Sequence, residues 1–301
     1  MRRIIFLIVL LFFVSGCSIG SLFGGGGETT TRKGFGGSSG ISMSFVEDAP
    51  VKEIGRDKNI KFIVNVKNTG TFNIPSGAFM VRVTGLDNNF NPNILEAVNP
   101  EVVGMIDESG VGGDVNVDIG STSYNPEKMF ADRIIKSGDL QVEVCYPYET
   151  KVVSDNFWIG GKTSDVSKGS IGGGDNSNSP VHVSELVEKS DGSSTEFSFK
   201  IKVVGSGSVV SNCFPKTEDD KKKNVELQVL ERDVSCYYEN AGERQDIGSG
   251  GSVILNTANE KVIRCTVPFN AEKPVKSQLQ MQVNYYYSDK ISVPEILIRK
   301  I

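Results

Sequence analysis

The sequence has 301 residues, 37 acidic against 32 basic side chains, one histidine and a formal net charge of −5. An acidic balance without basic clusters argues against nucleic-acid binding, which selects basic surfaces. Glycine accounts for 33 residues, much of it in two tracts, and a hydrophobic content of 38% is sufficient for globular domains between them. The length allows about two domains.

The N-terminal stretch MRRIIFLIVLLFFVSG has the three parts of a secretory signal peptide. Arg2 and Arg3 form a short positive region, residues 4–14 are unbroken apolar sequence, and Ser15 and Gly16 are small residues that a signal peptidase accepts. The apolar run is shorter than the ~20 residues that span a membrane comfortably. Residues 1–16 are therefore predicted to be a signal peptide.

A cysteine follows directly, and Val14-Ser15-Gly16-Cys17 resembles the lipobox of prokaryotic lipoproteins. The resemblance implies that Cys17 is acylated, becomes the mature N-terminus and anchors the protein to the cell membrane. An ordinary secretory signal and an uncleaved N-terminal anchor remain as alternatives. All three place the rest of the chain outside the cytoplasm, where disulfides can form.

Two tracts rich in glycine and serine divide the rest of the chain. Residues 17–40 and 160–179 have no hydrophobic period and too little apolar area to offset their ordering entropy. We expect the first to be a flexible tether and the second a flexible linker. The predicted folded domains are then 41–159 and 180–301.

Within both predicted domains, apolar residues alternate with period two, which is the pattern of half-buried strands. The alternating segments are 60–66, 140–148, 197–203 and 279–287. Strands of this length, separated by turns and without long helical periods, predict an all-β antiparallel sandwich in each half.

The second half also repeats the sequence of the first. Residues 279–298 align without gaps to residues 140–159 with seven identities, including Tyr146 with Tyr285 and Tyr148 with Tyr287. The offset is 139 there and 137 between the strands at 60–66 and 197–203. Near-equal offsets predict an internal repeat of two similar units, although any two alternating hairpins share some likeness.

The order of strand, Asn-x-Gly turn, strand and final hairpin resembles the immunoglobulin-like domains of prokaryotic, especially archaeal, surface proteins. Residues 60–83, IKFIVNVKNTGTFNIPSGAFMVRV, are similar to the CARDB adhesion-related type, in which an apolar strand ends in Asn-x-Gly and a second strand returns. In the second half only the strand is similar, because Gly205 replaces the asparagine. The resemblance implies two tandem Ig-like sandwiches of a cell-surface lipoprotein, without catalytic residues.

If Cys17 is acylated, four cysteines remain, an even number that permits disulfides. Cys236 and Cys265 each alternate with apolar neighbours and so point toward a buried face, which favours a Cys236–Cys265 disulfide. Two buried free thiols are the alternative. Cys145 and Cys213 fall in different predicted domains, so no pairing is predicted for them.

The sequence indicates no enzyme, no cofactor and no metal centre. His182 is expected to face solvent at a strand start, whereas a Ser-His-Asp triad needs a histidine beside its nucleophile and zinc needs three or four N/S ligands. A calcium site in the loop 87–93 is the alternative to a plain hydrated turn, because its oxygen side chains alternate. Pro92 and Val98 stand where an EF-type loop needs glycine and glutamate. The candidate ligands are Asp87, Asn89, Asn91 and Asn93.

Exposed aromatic side chains are the remaining candidates for recognition, as a stacking surface for sugars or a partner protein. The candidates are Trp158, Tyr237, Tyr238 and Tyr286, with ordinary strand aromatics as the alternative. By strand phase, Tyr285 and Tyr287 belong to the core and Tyr286 to the opposite face.

These features predict a non-enzymatic, membrane-anchored surface protein that serves adhesion, envelope organisation or partner docking, with a protein or glycan partner. Two alternatives remain. The first is a subunit of a surface filament that pairs through exposed strand edges. The second is an accessory ligand-binding lipoprotein of a transporter or enzyme complex, which should offer a concave pocket.

Overall fold

The computed structural model describes residues 37–300, apart from positions 57, 126, 128 and 130 and the segments 162–168, 214–221 and 270–272. The predicted signal peptide, Cys17 and most of the predicted tether lie outside the described residues. Lys33–Ile301 forms one compact unit. We call residues 37–161 the first half and residues 169–300 the second half.

The predicted all-β class is confirmed, and strands dominate both halves. Within the described residues a short 3₁₀ turn covers Gly173–Asp175. The strands of the first half are β1 (Ile41–Phe45), β2 (Glu53–Gly55), β3 (Ile60–Asn68), β4 (Met80–Thr84), β5 (Phe90–Asn91), β6 (Leu95–Val98), β7 (Asp114–Tyr124), β8 (Arg133–Ile135) and β9 (Gln141–Ile159). The strands of the second half are β10 (Val181–Ser190), β11 (Ser194–Val203), β12 (Ser208–Val210), β13 (Asn224–Val229), β14 (Ser235–Asn240), β15 (Glu243–Gly248), β16 (Gly250–Ile254), β17 (Glu260–Pro268), β18 (Val275–Ser292) and β19 (Ile296–Arg299).

These strands form four sheets. A four-stranded sheet of the first half has the order β1-β3-β7-β5, and a five-stranded sheet of the second half has the order β10-β11-β17-β14-β15. A seven-stranded sheet, which we call the shared sheet, has the order β16-β13-β18-β9-β4-β6, with β12 also paired to β18. A small sheet, β2-β19-β8, contains a parallel pair between β2 and β19.

The strand order corresponds between the halves, since β1-β3-β7 matches β10-β11-β17, and β6-β4-β9 matches β16-β13-β18. The alternation that predicted the strands is the burial pattern they show. In β3, for example, Ile60, Phe62, Val64 and Val66 are buried at no more than 1% exposure. The internal repeat, the Ig-like arrangement and the CARDB-like family stay predictions.

The predicted division into separate domains 41–159 and 180–301 is not the division of the structure. Strands β9 and β18 pair antiparallel along nearly their whole length, from Gln141 with Ser292 to Ile159 with Val275. One sheet therefore runs through both halves. Alternation along a strand indicates which face is buried but not which strand lies beside it, so the sequence pattern predicted two sandwiches without predicting that they share a sheet.

Four tyrosines fill the core at the join, two from each half. Tyr146 lies opposite Tyr287 and Tyr148 opposite Tyr285, with ring centroids 5.9 Å and 6.0 Å apart. All four are at most 5% exposed. The Tyr285 hydroxyl also lies 3.0 Å from the Thr150 Oγ1 across the join. The hydrophobic core is thus continuous between the halves.

Two further links cross between the halves. Cys145 of β9 forms a disulfide with Cys213, which follows β12, although no pairing was predicted for them. The last strand, β19, leaves the second half and pairs with β2 and β8 of the first. Its Arg299 binds the carboxylates of Glu53 and Asp132 at 2.8 Å and 3.1 Å. The C-terminal strand therefore completes a sheet of the first half.

The described part of the predicted linker 160–179 is packed rather than free. Asn176 is 1% exposed and clamps the backbone of Val183, accepting a hydrogen bond of 2.7 Å from its N–H and donating one of 2.9 Å to its carbonyl. The backbone N–H of Ser177 donates to the Lys151 carbonyl of β9. Side-chain hydrogen bonds, rather than buried apolar area, hold this segment in place. The amino-acid composition of the segment did not indicate these bonds.

The end of the predicted tether 17–40 is packed in the same way. The carbonyl of Gly37 accepts a hydrogen bond from the N–H of Ser179, and the carbonyl of Gly40 accepts one from Thr69. In the Asn-Thr-Gly turn that follows β3, the Asn68 side-chain oxygen accepts a hydrogen bond from the Gly70 N–H. A Cβ at Gly70 would collide with the Tyr148 hydroxyl, which explains the glycine.

Candidate functional site

The outer face of the shared sheet, opposite the buried tyrosines, is covered by polar side chains. Along β18 it presents an amide at every second residue, and these are Gln278, Gln280, Gln282 and Asn284. Gln282 donates to the Glu149 carboxylate of β9 and, at 3.3 Å, to the Asn284 side-chain oxygen. Gln278 donates to Asp155 of β9 at 2.5 Å. We call this row the amide ladder.

At the end of the amide ladder, a shallow groove of about 300 Å³ crosses the join between the halves. Its floor includes Pro147 of β9 and Tyr286 of β18, which lie directly opposite each other. Phe72 lies at the first-half end, and Asn224 and Glu226 of β13 lie at the second-half end. We call it the Tyr286 groove. It exists because β9 and β18 are neighbours.

The Tyr286 groove combines an exposed ring with one unsatisfied amide oxygen and an exposed carboxylate. Tyr286 is 40% exposed, as strand phase predicted, whereas its neighbours Tyr285 and Tyr287 are buried as predicted. The Asn224 side-chain oxygen is buried and has no hydrogen-bond partner among the described residues. Glu226 is exposed at the rim. A ring, an amide and a carboxylate converge here.

Beyond the groove, the same face carries a half-buried charged cluster on Glu143. Arg82 of β4 lies 2.7 Å from its carboxylate, and Ser288 of β18 donates to it at 2.6 Å. Burial acts to raise the pKa of Glu143, but the hydrogen bonds from Ser288 and Arg82 outweigh it and hold the pKa below its usual range. The cluster is satisfied and ties the two halves together.

The four candidate aromatics do not form one surface. Tyr237 is half-buried on the five-stranded sheet, with the Arg244 guanidinium 3.8 Å from its ring centroid. Trp158 lies opposite Lys276, ten residues before Tyr286 on β18, which is ~33 Å at strand spacing. Of the four, Tyr286 is the one that lines the Tyr286 groove.

Tyr238 was predicted to be exposed, and this is wrong, because it is 4% exposed. Its strand, β14, buries Cys236 as well, and residues two apart on a strand share a face. The Cys236–Cys265 disulfide is present as predicted and joins β14 to β17. The same phase argument that placed Cys236 in the core could have placed Tyr238 there.

The loop 87–93 is arranged as a turn. Both carboxylate oxygens of Asp87 are engaged by Asn89, through its backbone N–H at 2.8 Å and its side-chain amide at 2.9 Å. Asn93 donates to the Asn88 side chain at 3.4 Å. Asn89, Asn91 and Asn93 border an open depression, whereas Asp87 does not line it. No cluster of metal-binding His, Cys, Asp or Glu side chains occurs in the described part of the chain.

His182 lies at the second position of β10 and is half-buried rather than facing solvent as predicted. Its Nε2 is 3.0 Å from the Gly37 carbonyl oxygen. Burial lowers the pKa of His182, against the opposing effect of this hydrogen bond. The imidazole is thus engaged in attaching the segment before β1 to the second half.

Comparison with solved structures gives weak similarities. The envelope protein VP37 of White Spot Syndrome Virus matches at 7% identity and a TM-score of 0.21, over 48% of this chain and 98% of that one. The secreted serine protease VesC of Vibrio cholerae matches at 10% identity and a TM-score of 0.20, over 81% of this chain and 50% of that one. BuGH86wt, solved in complex with neoagarooctaose, matches at 9% identity and a TM-score of 0.18, over 77% of this chain and 34% of that one. Similarities at this level carry no argument, and no curated protein matches the chain.

The N-terminus gives a clear match. Residues 1–18 match the prokaryotic membrane lipoprotein lipid attachment site, in agreement with the sequence analysis of Cys17. In the described residues, no helix has the length and apolar character to cross a membrane. The chain is therefore a prokaryotic lipoprotein, membrane-associated through a lipid anchor and extracytoplasmic.

Proposed function

We propose that this lipoprotein is a non-enzymatic docking protein of the cell envelope, which presents the outer face of its shared sheet to a partner at the cell surface. The observation that carries the proposal is the Tyr286 groove on a sheet built from both halves, behind a lipid attachment site at residues 1–18. Recognition sites are commonly exposed aromatics on a rigid scaffold.

The rigidity of this scaffold supports docking. The Cys145–Cys213 disulfide, the Tyr146–Tyr287 contact and the strand β19 each join the halves. Interfaces that cross a hydrophobic core resist relative motion, unlike small polar contacts between tandem domains. A preorganised surface loses less conformational entropy when a partner binds.

The edge strands β10 and β15 favour docking through the face of a sheet rather than filament growth, which would require another chain to pair with a strand edge. Edge strand β10 has a register shift between Ser184 and Val187, and Glu185 there has a left-handed backbone with φ of 56°. Edge strand β15 carries charges, including the Arg244–Asp246 pair at 2.7 Å. Bulges and charges on edge strands prevent strand addition by another chain.

In-cell photo-crosslinking of the full-length protein tests the proposal. A photoreactive amino acid replaces Gln280 on the outer face or, as the matched control, Lys67 on β3 of another sheet; both are exposed. We expect discrete cross-linked products from position 280, few from position 67, and loss of the products when Cys17→Ser removes the anchor.

Products that contain only further copies of this chain would instead indicate a filament subunit. An absence of products from position 280 in intact envelopes would contradict the docking proposal. A substrate consumed by the purified protein would contradict the non-enzymatic part of it.

A further inference from the structure

We propose that the Tyr286 groove and the amide ladder bind a neutral polysaccharide chain. This inference rests on the proposed docking function and names the chemistry of its ligand. The groove joins the ladder end to end, so that Tyr286, Asn284, Gln282 and Gln280 follow one another on the same face of β18.

The aromatic ring supplies the apolar part of the recognition. Tyr286 is 40% exposed and lies opposite Pro147, so two rings lie side by side in a largely polar face. A sugar ring has a C–H face that packs against such a surface while its hydroxyls point outward. Tyrosine offers a large apolar area with a polar tip and loses little conformational freedom on binding.

The amides supply the polar part. Each Asn or Gln side chain has two N–H donors and an acceptor oxygen, which matches the donor and acceptor pattern of vicinal hydroxyls. Gln282 is oriented by its hydrogen bonds to Glu149 and Asn284. These bonds engage both N–H donors of Gln282 and leave its side-chain oxygen available as an acceptor.

The charge of the groove favours a neutral ligand. Glu226 is the charged side chain that borders it among the described residues, and a carboxylate accepts hydroxyl hydrogen bonds but repels anions. An anionic glycan, a nucleic acid or an anionic lipid headgroup would face this charge without a cation in the groove. Beside the ladder, Lys151 lies opposite Gln282, and its charge is paired with Glu149 at 3.1 Å.

The length and polarity of the face favour a polysaccharide chain over a protein as the ligand. From Asn284 to Gln278 the ladder extends for six residues, ~20 Å at strand spacing, beyond the groove itself. A protein partner would need a desolvated apolar core in its interface. The amide ladder provides hydrogen-bonding groups in a row instead, which suits successive sugar units.

Calorimetric titration of the full-length acylated protein in polyoxyethylene detergent micelles tests this inference. The probes are hexasaccharides of β-1,4-linked glucose, β-1,4-linked N-acetylglucosamine and α-1,6-linked mannose, with oligogalacturonate as the anionic probe. Binding of at least one neutral probe is expected, with oligogalacturonate weaker. We expect Tyr286→Ala to weaken binding about tenfold, because a stacking ring contributes roughly that much.

Matched variants separate recognition from folding. Tyr286→Phe keeps the ring and should bind within about threefold of the native protein, whereas Asn284→Ala should weaken binding by roughly the value of one or two hydrogen bonds, about tenfold. Tyr237→Ala changes a half-buried tyrosine on another sheet and should leave binding unchanged. Equal losses in the Tyr237 and Tyr286 variants would overturn the inference.

The other possible results of the titration also decide whether the polysaccharide inference holds. Failure of all three neutral probes to bind, or tighter binding of oligogalacturonate, overturns the neutral polysaccharide. If the in-cell cross-linked products from position 280 are then proteins and disappear in Tyr286→Ala, the docking function stands and its partner is a protein. If neither sugars nor cross-linked products are found, the docking function fails as well.

Discussion

Truncation of Tyr148 should destabilise both halves together, although Tyr148 belongs to the first half. Its side chain is 2% exposed, and its ring lies 5.6 Å from Phe72, 5.9 Å from Tyr146 and 6.0 Å from Tyr285. Its hydroxyl donates to the Asn178 carbonyl at 2.9 Å. Tyr148→Ala removes all of these contacts and leaves a cavity at the join.

The expected loss follows from these contacts. Truncation of a buried aromatic residue to alanine costs about 3–5 kcal/mol, and a single neutral hydrogen bond contributes about 1 kcal/mol. We therefore expect Tyr148→Ala to lower the free energy of unfolding by ~4 kcal/mol or more. Tyr148→Phe keeps the ring and should lose about 1 kcal/mol. Tyr286→Ala, at an exposed position, should change stability by no more than about 0.5 kcal/mol.

Urea unfolding followed by two probes measures the effect. The fluorescence of Trp158, the one tryptophan of the chain, reports on β9, and far-ultraviolet circular dichroism reports on all the sheets. Coincident transitions that shift together in Tyr148→Ala are expected, because a cooperative unit unfolds as a whole. Two separate transitions, of which only one shifts, would refute the reasoning.

Three other predictions concern the anchor, the second disulfide and alkaline stability. Cys17→Ser should release the protein or leave an uncleaved precursor, which fractionation of membranes detects; unchanged cleavage and retention would exclude acylation as the anchor. Replacement of Cys145 and Cys213 by serine should cost on the order of 4 kcal/mol by the chain-entropy argument for a separation of 68 residues, and an unchanged urea midpoint would contradict the link between the halves. Burial raises the pKa of Tyr287 from 10 to about 12, so the stability it contributes is present below pH 10 and lost as the pH rises through 12. Tyr287→Phe should therefore flatten the loss of stability in this range, and an identical pH profile in the variant would count against buried tyrosines as its cause.

The fold class and the facing of side chains could be predicted because they depend on local alternation. Strand phase placed Cys236 and Cys265 on a buried face, Tyr285 and Tyr287 in the core, and Tyr286 on the outer face, and the structure agrees. Each of these depends on period two alone. The same rule, applied to Tyr238, would have corrected the exposure predicted for it.

The shared sheet could not be predicted from alternation, since pairing partners distant in sequence leave no local pattern. The final hairpin predicted for each half is wrong, because β9 and β18 run unbroken for 19 and 18 residues, whereas strands in globular proteins usually have 3–10. Strands this long exceed what one small sandwich needs. The packing of the segment around Asn176 could not be predicted for a different reason. Its amino-acid composition indicates how much apolar area it can bury, but not which hydrogen bonds its side chains form.

The functional site depends on the same long pair of strands. Pro147 and Tyr286 come from different halves, and only the register of β9 against β18 places them opposite each other. The sequence could therefore nominate Tyr286 as an exposed aromatic but not the groove that surrounds it.

Hydrogen–deuterium exchange across β9 and β18 tests the shared sheet most directly. In the native protein, peptides covering residues 142–153 and 280–291 pair with each other, so their amides should exchange slowly and at similar rates, limited by unfolding of the whole unit. Two independent sandwiches would leave one side of each strand unpaired. Rapid exchange in either peptide, or protection that differs widely between them, would contradict the account of one sheet built from both halves.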